Sequence, residues 1–192
     1  MSDELANPDR LRRAFRAFNR FMLLIFRLGL GSYGNRPELS QVMVITHTGR
    51  KTGLRRRTPV NYAVVDGEVY CLAGFGARTD WYRNLLADPQ VEIWLPDGWY
   101  SGVAEDVSED PRRLPLLRQV LIASGFAARA AGIEPRRITD EQLQTVSSDY
   151  RLVRIRRVQP RTGPGGPGDL AWVWPLSTLV LIGLLLIRRK RI

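Results

Sequence analysis

The sequence predicts a mainly β protein with some helices (α+β), built as an antiparallel barrel. Three observations predict it: six short segments rich in alternating or β-branched residues, turn residues between them, and helices that are only local. Short strands with local helices favour a closed or half-closed antiparallel barrel over a parallel sheet. The predicted strands cover residues 41–48, 59–65, 68–73, 91–95, 100–107 and 150–158.

Turn residues divide four of these strands into two hairpins. An Asp-Gly pair stands at 66–67 and a Pro-Asp-Gly sequence at 96–98, both typical of tight turns. A short helix is predicted over 79–87 and a longer one over 111–131. The barrel domain is therefore expected to span residues 36–160.

Composition points to an anionic ligand and removes two classes of site. The 192 residues carry 29 Lys+Arg against 19 Asp+Glu, a formal charge of +10, and only Lys51 and Lys190 are lysines. Arginine favours forked contacts to phosphate or carboxylate groups. A single Cys71 excludes an intrachain disulfide, and Cys71 with the single His47 cannot form a Cys/His zinc site. No metal site is therefore expected.

The C-terminus carries an uncharged run at 170–187, which predicts a transmembrane helix of ~27 Å at ~1.5 Å per residue. A Gly/Pro linker at 161–169 precedes it and a basic tail at 188–192 follows. A buried core helix is the alternative. With no signal peptide at the N-terminus, the sequence predicts a cell-membrane protein with its catalytic domain on the cytoplasmic side, while arginines on both sides of the run leave the orientation of the tail open.

Residues 1–35 are predicted to form an amphipathic helix and its connection. Over 9–28, apolar side chains and arginines fall on opposite arcs of a helical wheel. Such a helix can lie at a membrane interface, or it can cover the core of its own domain. The apolar C-terminal run favours the membrane interpretation.

A glycine-flanked cationic stretch lies between the first two strands. Gly49 and Gly53 permit a tight turn, while Arg50, Lys51 and Thr52 supply charged and hydroxyl donors suited to phosphate. The stretch lacks the Walker A spacing and leads into a strand, so nucleoside triphosphate binding has poor support. A solvated basic hairpin is the alternative.

A second cluster combines small residues with a helix start. The small residues Ala73, Gly74 and Gly76 let a flat ring approach the backbone, and the 79–87 helix offers its N-terminal N–H groups to negative charge. Trp81 and Leu85 are four residues apart on that helix, so both can also be plain core residues. The cluster indicates a cofactor site only in combination with the cationic stretch.

Together the two clusters resemble the deazaflavin (F-420)-dependent nitroreductase/quinone reductase family. The resemblance covers about 42–107 and rests on T-G-R-K-T-G at 48–53, R-T-P at 57–59 and W-Y-x-N-L-x-A-x-P at 81–89. It implies a split β-barrel, flavin-reductase-like fold and coenzyme F-420 as cofactor. The implied cofactor contacts are Arg50, Lys51, Thr52, Arg56, Arg57, Thr58, Pro59, Val60, Asn61, Ala73, Gly74, Phe75, Asp80, Trp81, Tyr82, Arg83 and Asn84.

The resemblance also implies an activity, an oxidoreductase that transfers a hydride from reduced F-420 to a lipophilic acceptor such as a quinone or a nitro compound. The nitro-drug-activating members have a tyrosine two residues after the proline, where this chain has Asn61 followed by Tyr62. Tyr62 is therefore the candidate catalytic proton donor, and a structural strand tyrosine is the alternative. One histidine and one thiol provide little acid–base chemistry, so the difficult step belongs to a cofactor.

Two other functions stay open at this point. Related split barrels hold flavin mononucleotide (FMN) or haem, so either is an alternative ligand. The arginines at 50–57 could instead serve a nucleic-acid-binding module without catalysis, although the anchor and the aromatic motif residues argue against a nucleic acid partner. The expected partners are a small lipophilic substrate and the membrane, and a homodimer is one assembly to test.

Overall fold

The computed structural model describes residues 8–31 and 40–189. Six strands close into one barrel in the order β1-β2-β3-β6-β5-β4, and all neighbouring strands are antiparallel. This confirms the predicted barrel. The strands are β1 (Val42–Thr48), β2 (Arg55–Val65), β3 (Glu68–Ala73), β4 (Gln90–Leu95), β5 (Gly98–Asp106) and β6 (Arg151–Pro160). The helices are α1 (Pro8–Arg27), α2 (Asp80–Ala87), α3 (Arg113–Ala123), α4 (Phe126–Ala130), α5 (Asp140–Val146) and α6 (Val173–Arg189).

Alternation along the strands separates an inner from an outer face. Met43 and Ile45 of β1 point inward and pack in one cluster with Val60 and Tyr62 of β2. Helix α2 closes one end of the barrel, because Leu85 packs in the same cluster. Barrel closure therefore buries a core without leaving an open sheet edge.

Two helices cover parts of the outer face. Helix α3 covers one side, where Leu116 packs with Ala63 and Tyr70. The last turns of α1 cover another, where Phe26 packs with Trp94 at a ring-centroid distance of 6.5 Å. At least this end of α1 is thus a core-covering helix, the alternative that periodicity left open.

Within the barrel domain, three differences from prediction go beyond a shift of one or two residues at the end of an element. Strand β2 starts at Arg55 rather than 59, because pairing with β1 runs on through Pro59, where β3 does not pair with β2. The predicted 111–131 helix is split into α3 and α4 at Gly125, which has φ +50°. Helix α5 was not predicted, although Thr139 and Gln142 form a capping box at its start.

The segment predicted as a Gly/Pro linker packs against the rest of the chain. The Arg161 N–H donates to the Trp99 carbonyl over 2.7 Å, and the Gly168 N–H donates to the Phe26 carbonyl over 2.9 Å. The Asp169 carboxylate accepts from Nε of Arg27 over 2.9 Å. Residues 161–169 therefore join the barrel to the end of α1, and we call this segment the strap.

The predicted transmembrane helix at 170–187 is not supported. Of the helices that the structure describes, none is both long and apolar enough to cross a membrane. The residues at 170–172 form turns, with the Leu170 N–H donating to the Arg27 carbonyl, so α6 begins only at Val173 and has 17 residues. The predicted placement at the cell membrane loses its support with that helix. Parts of the predicted N-terminal region (1–7 and 32–35) and tail (190–192) lie outside the described residues.

Candidate functional site

The cationic stretch forms the tight loop between β1 and β2. The Gly49 N–H donates to the Leu54 carbonyl over 2.9 Å, and the Gly49 carbonyl accepts from Thr52 N–H (3.0 Å) and Gly53 N–H (2.8 Å). Gly53 has φ +67°, which favours glycine. A Cβ on Gly49 would lie 3.0 Å from Oγ1 of Thr52, so the loop has little spare room there. We call residues 49–54 the cationic loop.

Arg50 binds the cationic loop to α2. Its Nη2 donates to the Asp80 carboxylate over 2.8 Å, and its Nη1 donates to the Asp80 carbonyl (3.3 Å) and to Oδ1 of Asn84 (2.9 Å). The backbone N–H of Arg50 also donates to Oδ1 of Asn84 over 3.2 Å. The hydrogen bond from Arg50 lowers the pKa of Asp80. The two predicted clusters therefore meet at one end of the barrel.

Two buried polar side chains, those of His47 and Asn84, lie beneath the contact between the cationic loop and α2. Nδ2 of Asn84 lies 3.3 Å from Nδ1 of His47, and Nε2 of His47 lies 3.1 Å from Oγ1 of Thr58. His47 and Asn84 are buried. Burial lowers the pKa of His47, the Coulombic effect of Arg56 acts in the same direction, and a hydrogen bond with the Thr48 backbone opposes both.

Several donors around Arg50 face solvent. Lys51 is exposed and makes no hydrogen bond or ion pair with any other residue in the described ranges. Arg56 and Thr52 are exposed as well. Ammonium, guanidinium and hydroxyl donors at one loop match the chemistry of a phosphate or carboxylate group. Arg50 contributes by fixing the loop, since both of its terminal guanidinium nitrogens already donate to Asp80 or Asn84.

The Arg57 side chain faces away from the exposed donors of Lys51, Thr52 and Arg56. Its guanidinium carbon lies 4.7 Å from the Trp94 ring centroid, and its Nη2 donates to the Gly165 carbonyl of the strap over 2.6 Å. Burial is the main effect that lowers the pKa of Arg57. Successive side chains of a strand point to opposite faces, so Arg56 and Arg57 do not converge on one anion.

The other predicted residues of β2 follow the same alternation. Val60 and Tyr62 are buried in the inner core, while Pro59 and Asn61 belong to the outer face with Arg57. Nδ2 of Asn61 donates to Oγ of Ser40 (2.5 Å) and to the Gln41 carbonyl (3.1 Å). Tyr62 is only 6% exposed, and its role as proton donor stays a prediction.

The end of β3 and the turn after it present a different surface. Ala73 is buried, but Gly74 has open space where a Cβ would stand, and Phe75 is 68% exposed. Gly76 has φ +68°, and a Cβ there would lie 2.7 Å from the Asp149 carbonyl oxygen. The chain is thus held tightly at Gly76 and presents an aromatic ring just before it.

Helix α2 mixes contacts to the loop with contacts to the core. Trp81 packs against the inner cluster and meets Tyr82 edge-on at 6.5 Å between ring centroids. The Tyr82 hydroxyl donates to the Asp106 carboxylate over 2.5 Å, and burial together with Asp106 raises the pKa of Tyr82 to about 12. Trp81 and Tyr82 therefore serve the packing of this end, while Arg83 is exposed.

Two polar residues at this end were not among the predicted site residues. The sequence excludes His47 from a Cys/His zinc site and places it next to the cationic stretch, but its position inside the barrel end depends on tertiary structure. Thr79 is the N-cap of α2, and its Oγ1 is buried without a hydrogen-bond partner among the described residues. The sequence signal for Thr79 was its position before Asp80, which predicts a cap but no ligand contact.

A cleft of about 290 Å³ lies beside the cationic loop on the outer face. His47, Thr48 and Arg55 line its side near the loop, and Glu92 and Arg161 line the other. Glu92 accepts from Arg55 over 2.5 Å and pairs with Arg161 at 3.3 Å. The polar groups of this cleft are thus largely paired with one another.

Comparison with solved structures finds several similar chains. A conserved hypothetical protein from Mycobacterium tuberculosis is 25% identical, with 72% of this chain and 91% of that chain covered and a TM-score of 0.46. An F420-H2 dependent reductase is 20% identical over 60% and 93% of the two chains, at a TM-score of 0.45. A haem storage protein from Vibrio cholerae is 14% identical over 71% and 89%, at 0.44.

A family model gives the decisive match. The model described as F420H(2)-dependent quinone reductase matches residues 20–140. This range contains the cationic loop, α2 and the whole barrel except β6. The matched residues cover more than half of the chain, and the observed six-stranded barrel fits the split β-barrel that the motifs predicted. The chain therefore belongs to the F420H(2)-dependent quinone reductase family, a family of F-420-dependent oxidoreductases.

Proposed function

We propose that this protein binds reduced coenzyme F-420 at the barrel end formed by the cationic loop and α2, and that it transfers a hydride to a lipophilic acceptor such as a quinone or a nitro compound. The observation that carries the proposal is the contact of Arg50 with Asp80 and Asn84. It joins the two motif segments of the family in one place.

The donors at this end fit an anionic cofactor. Lys51 and Arg56 are exposed cations, Thr52 adds a hydroxyl, and Thr79 has a buried hydroxyl without a partner among the described residues. Charge-assisted hydrogen bonds from such donors are the strong ones for phosphate. We assign the phosphate contacts to Lys51, Thr52 and Arg56, and the neighbourhood of the ring to the turn at 73–75.

The chain's own residues bind and orient, while the chemistry comes from the cofactor. When bound, the deazaflavin supplies a hydride from its C5 position. Burial raises the pKa of Cys71 strongly, which keeps its thiol protonated. The protein therefore contributes geometry and hydrogen-bond donors to the charge that develops on the acceptor. We propose that Tyr62, the proton donor that the resemblance implies, packs in the inner core instead of donating, since it is only 6% exposed.

Exposed apolar side chains beside the site support a lipophilic acceptor. Phe75 is 68% exposed and Leu54 is 62% exposed. Leu54 ends the cationic loop, and Phe75 lies in the turn that leads to α2. Apolar contacts at the rim of a polar cofactor site favour an acceptor that is itself apolar.

Acceptor preference tests this proposal. Purified full-length protein is mixed with reduced F-420, and its oxidation is followed by absorbance with a lipophilic quinone, a nitroaromatic compound or a water-soluble acceptor of similar potential. We expect faster turnover with the lipophilic acceptors and slower turnover of the quinone in a Phe75→Ser variant. No oxidation with any acceptor, or a preference for the water-soluble one, would contradict the proposal.

A further inference from the structure

We propose that His47 is a positioning residue of the cofactor site: its neutral ring fixes the side-chain amide of Asn84, and Asn84 in turn holds Arg50 and the cationic loop. What the loop then binds rests on the proposed function. The positioning itself rests on hydrogen bonds within the chain, so the two can be tested separately.

The first step is the orientation of the Asn84 amide. Its Oδ1 accepts two hydrogen bonds from Arg50, one from the backbone N–H at 3.2 Å and one from Nη1 at 2.9 Å. An amide nitrogen in that place would set donors against donors. The amide NH2 group must therefore point to the other side, where Nδ1 of His47 lies 3.3 Å away.

The second step fixes the tautomer of His47. Since Asn84 presents N–H donors, Nδ1 of His47 has to be the acceptor and carries no proton. A neutral imidazole then carries its proton on Nε2, which donates to Oγ1 of Thr58 over 3.1 Å. The hydrogen bonds that Arg50 donates to Asn84 thus determine which nitrogen of the buried His47 ring carries the proton.

The third step concerns protonation. A second proton on the ring would sit on Nδ1 and face the donors of Asn84, so the amide would have to rotate and give up Arg50. Burial and Arg56 already hold the pKa of His47 below 6.5. The stabilising contribution of the neutral His47 ring is therefore complete above pH 6.5. It is lost as the pH falls from 6.5 through the lowered pKa of the ring. Arg56 of β2 is the charged group that lowers the ring pKa, the Thr48 backbone opposes it, and Arg50 of the loop is linked to the ring through Asn84. The charged residues that line a cleft together with His47 are Arg55, Asp88, Glu92 and Arg161.

The direction of the pH effect separates positioning from simple charge attraction. A protonated His47 acting only as a charge would attract an anionic cofactor and tighten binding in acid. A protonated His47 acting through Asn84 loosens the loop and weakens binding in acid. The two roles therefore predict opposite changes of affinity below the ring pKa.

Nuclear magnetic resonance tests the positioning without any cofactor. The chain has one histidine, so its ring nitrogens are assigned without ambiguity in the labelled full-length protein. We expect the Nε2–H tautomer, a pKa below 6.5, and a backbone amide resonance of Arg50 that shifts with the same midpoint. An Nδ1–H tautomer, or an Arg50 amide that ignores the titration of His47, would overturn the proposal.

Two substitutions connect the ring to binding. His47→Asn keeps an acceptor near the place of Nδ1 without titrating there, whereas His47→Leu removes the acceptor. At pH 7.5 we expect His47→Leu to weaken F-420 binding about five- to tenfold and His47→Asn to stay within about twofold. On acidification the wild type should lose affinity relative to His47→Asn.

The outcomes are distinguishable. Equal affinities of the wild type and His47→Leu, or tighter binding by the wild type in acid, would overturn the positioning role. If the wild type binds no F-420, the proposed function fails, while the tautomer and the Arg50 amide still decide the positioning. If His47→Leu does not fold, the comparison of the wild type with His47→Asn across pH gives the decision.

Discussion

Arg50 and Arg57 are seven residues apart, both were predicted to hold the cofactor, and the fold uses them on different faces. Arg50 binds α2 at the barrel end. Arg57 lies over Trp94 on the outer face, and the Gly165 carbonyl of the strap accepts from it. A run of basic residues therefore does not define one anion site. The strand that follows the loop divides the charges between two faces.

Arg50 and Arg57 also differ in what their contacts support, which is the cofactor site for Arg50 and the stability of the fold for Arg57. Arg57 joins the strap to the barrel, so its contacts belong to the free energy of unfolding. Arg50 joins the cationic loop to α2, so its contacts shape the site beside the exposed Lys51. Substitutions at the two arginines should therefore change different measured quantities.

The largest effect is expected at Arg50. Arg50→Met removes charge-assisted hydrogen bonds worth about 1.5–3 kcal/mol, so F-420 affinity should fall between about ten- and a hundredfold. A fluorescence titration measures it. Arg55→Met is the matched control, because Arg55 is 64% exposed and pairs with Glu92. Equal losses in the two variants would mean that only net charge matters.

A stability effect is expected at Arg57. Arg57→Ala loses the stacking on Trp94 and the hydrogen bond to Gly165, together about 1–2 kcal/mol of unfolding free energy. Chemical denaturation measures this loss, and F-420 affinity should change by less than about threefold. The assignment to the strap is wrong if affinity falls tenfold while stability stays the same. Arg57→Lys should restore the charge but only part of the stability.

The smallest effect is expected at Tyr62. Tyr62→Phe keeps a ring of the same size in the buried core, so turnover should stay within about threefold, the change expected where no reacting proton is lost. Stopped-flow oxidation of reduced F-420 measures it. A fall of tenfold or more at unchanged stability would establish the phenol as the proton donor that the resemblance predicts.

Strand periodicity made the barrel predictable, and particular residues show where it did not suffice. Alternation in 41–48 identified β1. The strand predicted to start at Pro59 missed the four residues of β2 that precede this proline. The apolar run at 170–187 predicted a helix from its composition, but the Leu170 N–H donates to the Arg27 carbonyl of α1, residues 170–172 form turns, and the helix begins only at Val173. Pairing between distant segments decides such boundaries.

The site was predictable as a meeting of two motifs and not as a set of contacts. The motif residues identified the cationic loop and α2, and their junction at Arg50 follows from the fold. His47 and Thr79 were not predicted to take part, because their relevance comes from burial and from partners in other segments. The opposite faces of Arg56 and Arg57 were not predicted either, because the predicted strand began at residue 59, whereas the observed β2 includes both arginines.

Cofactor binding at the cationic loop is tested by titrating the full-length protein with F-420 while following cofactor fluorescence, with FMN as the competing ligand. Lys51→Ala removes an exposed cation of the loop, and Arg129→Ala removes an exposed cation of α4. We predict saturable F-420 binding that exceeds FMN binding, weakened about tenfold by Lys51→Ala and unchanged by Arg129→Ala. Equal F-420 affinity of the two variants, or tighter binding of FMN than of F-420, would show that the cationic loop does not hold F-420.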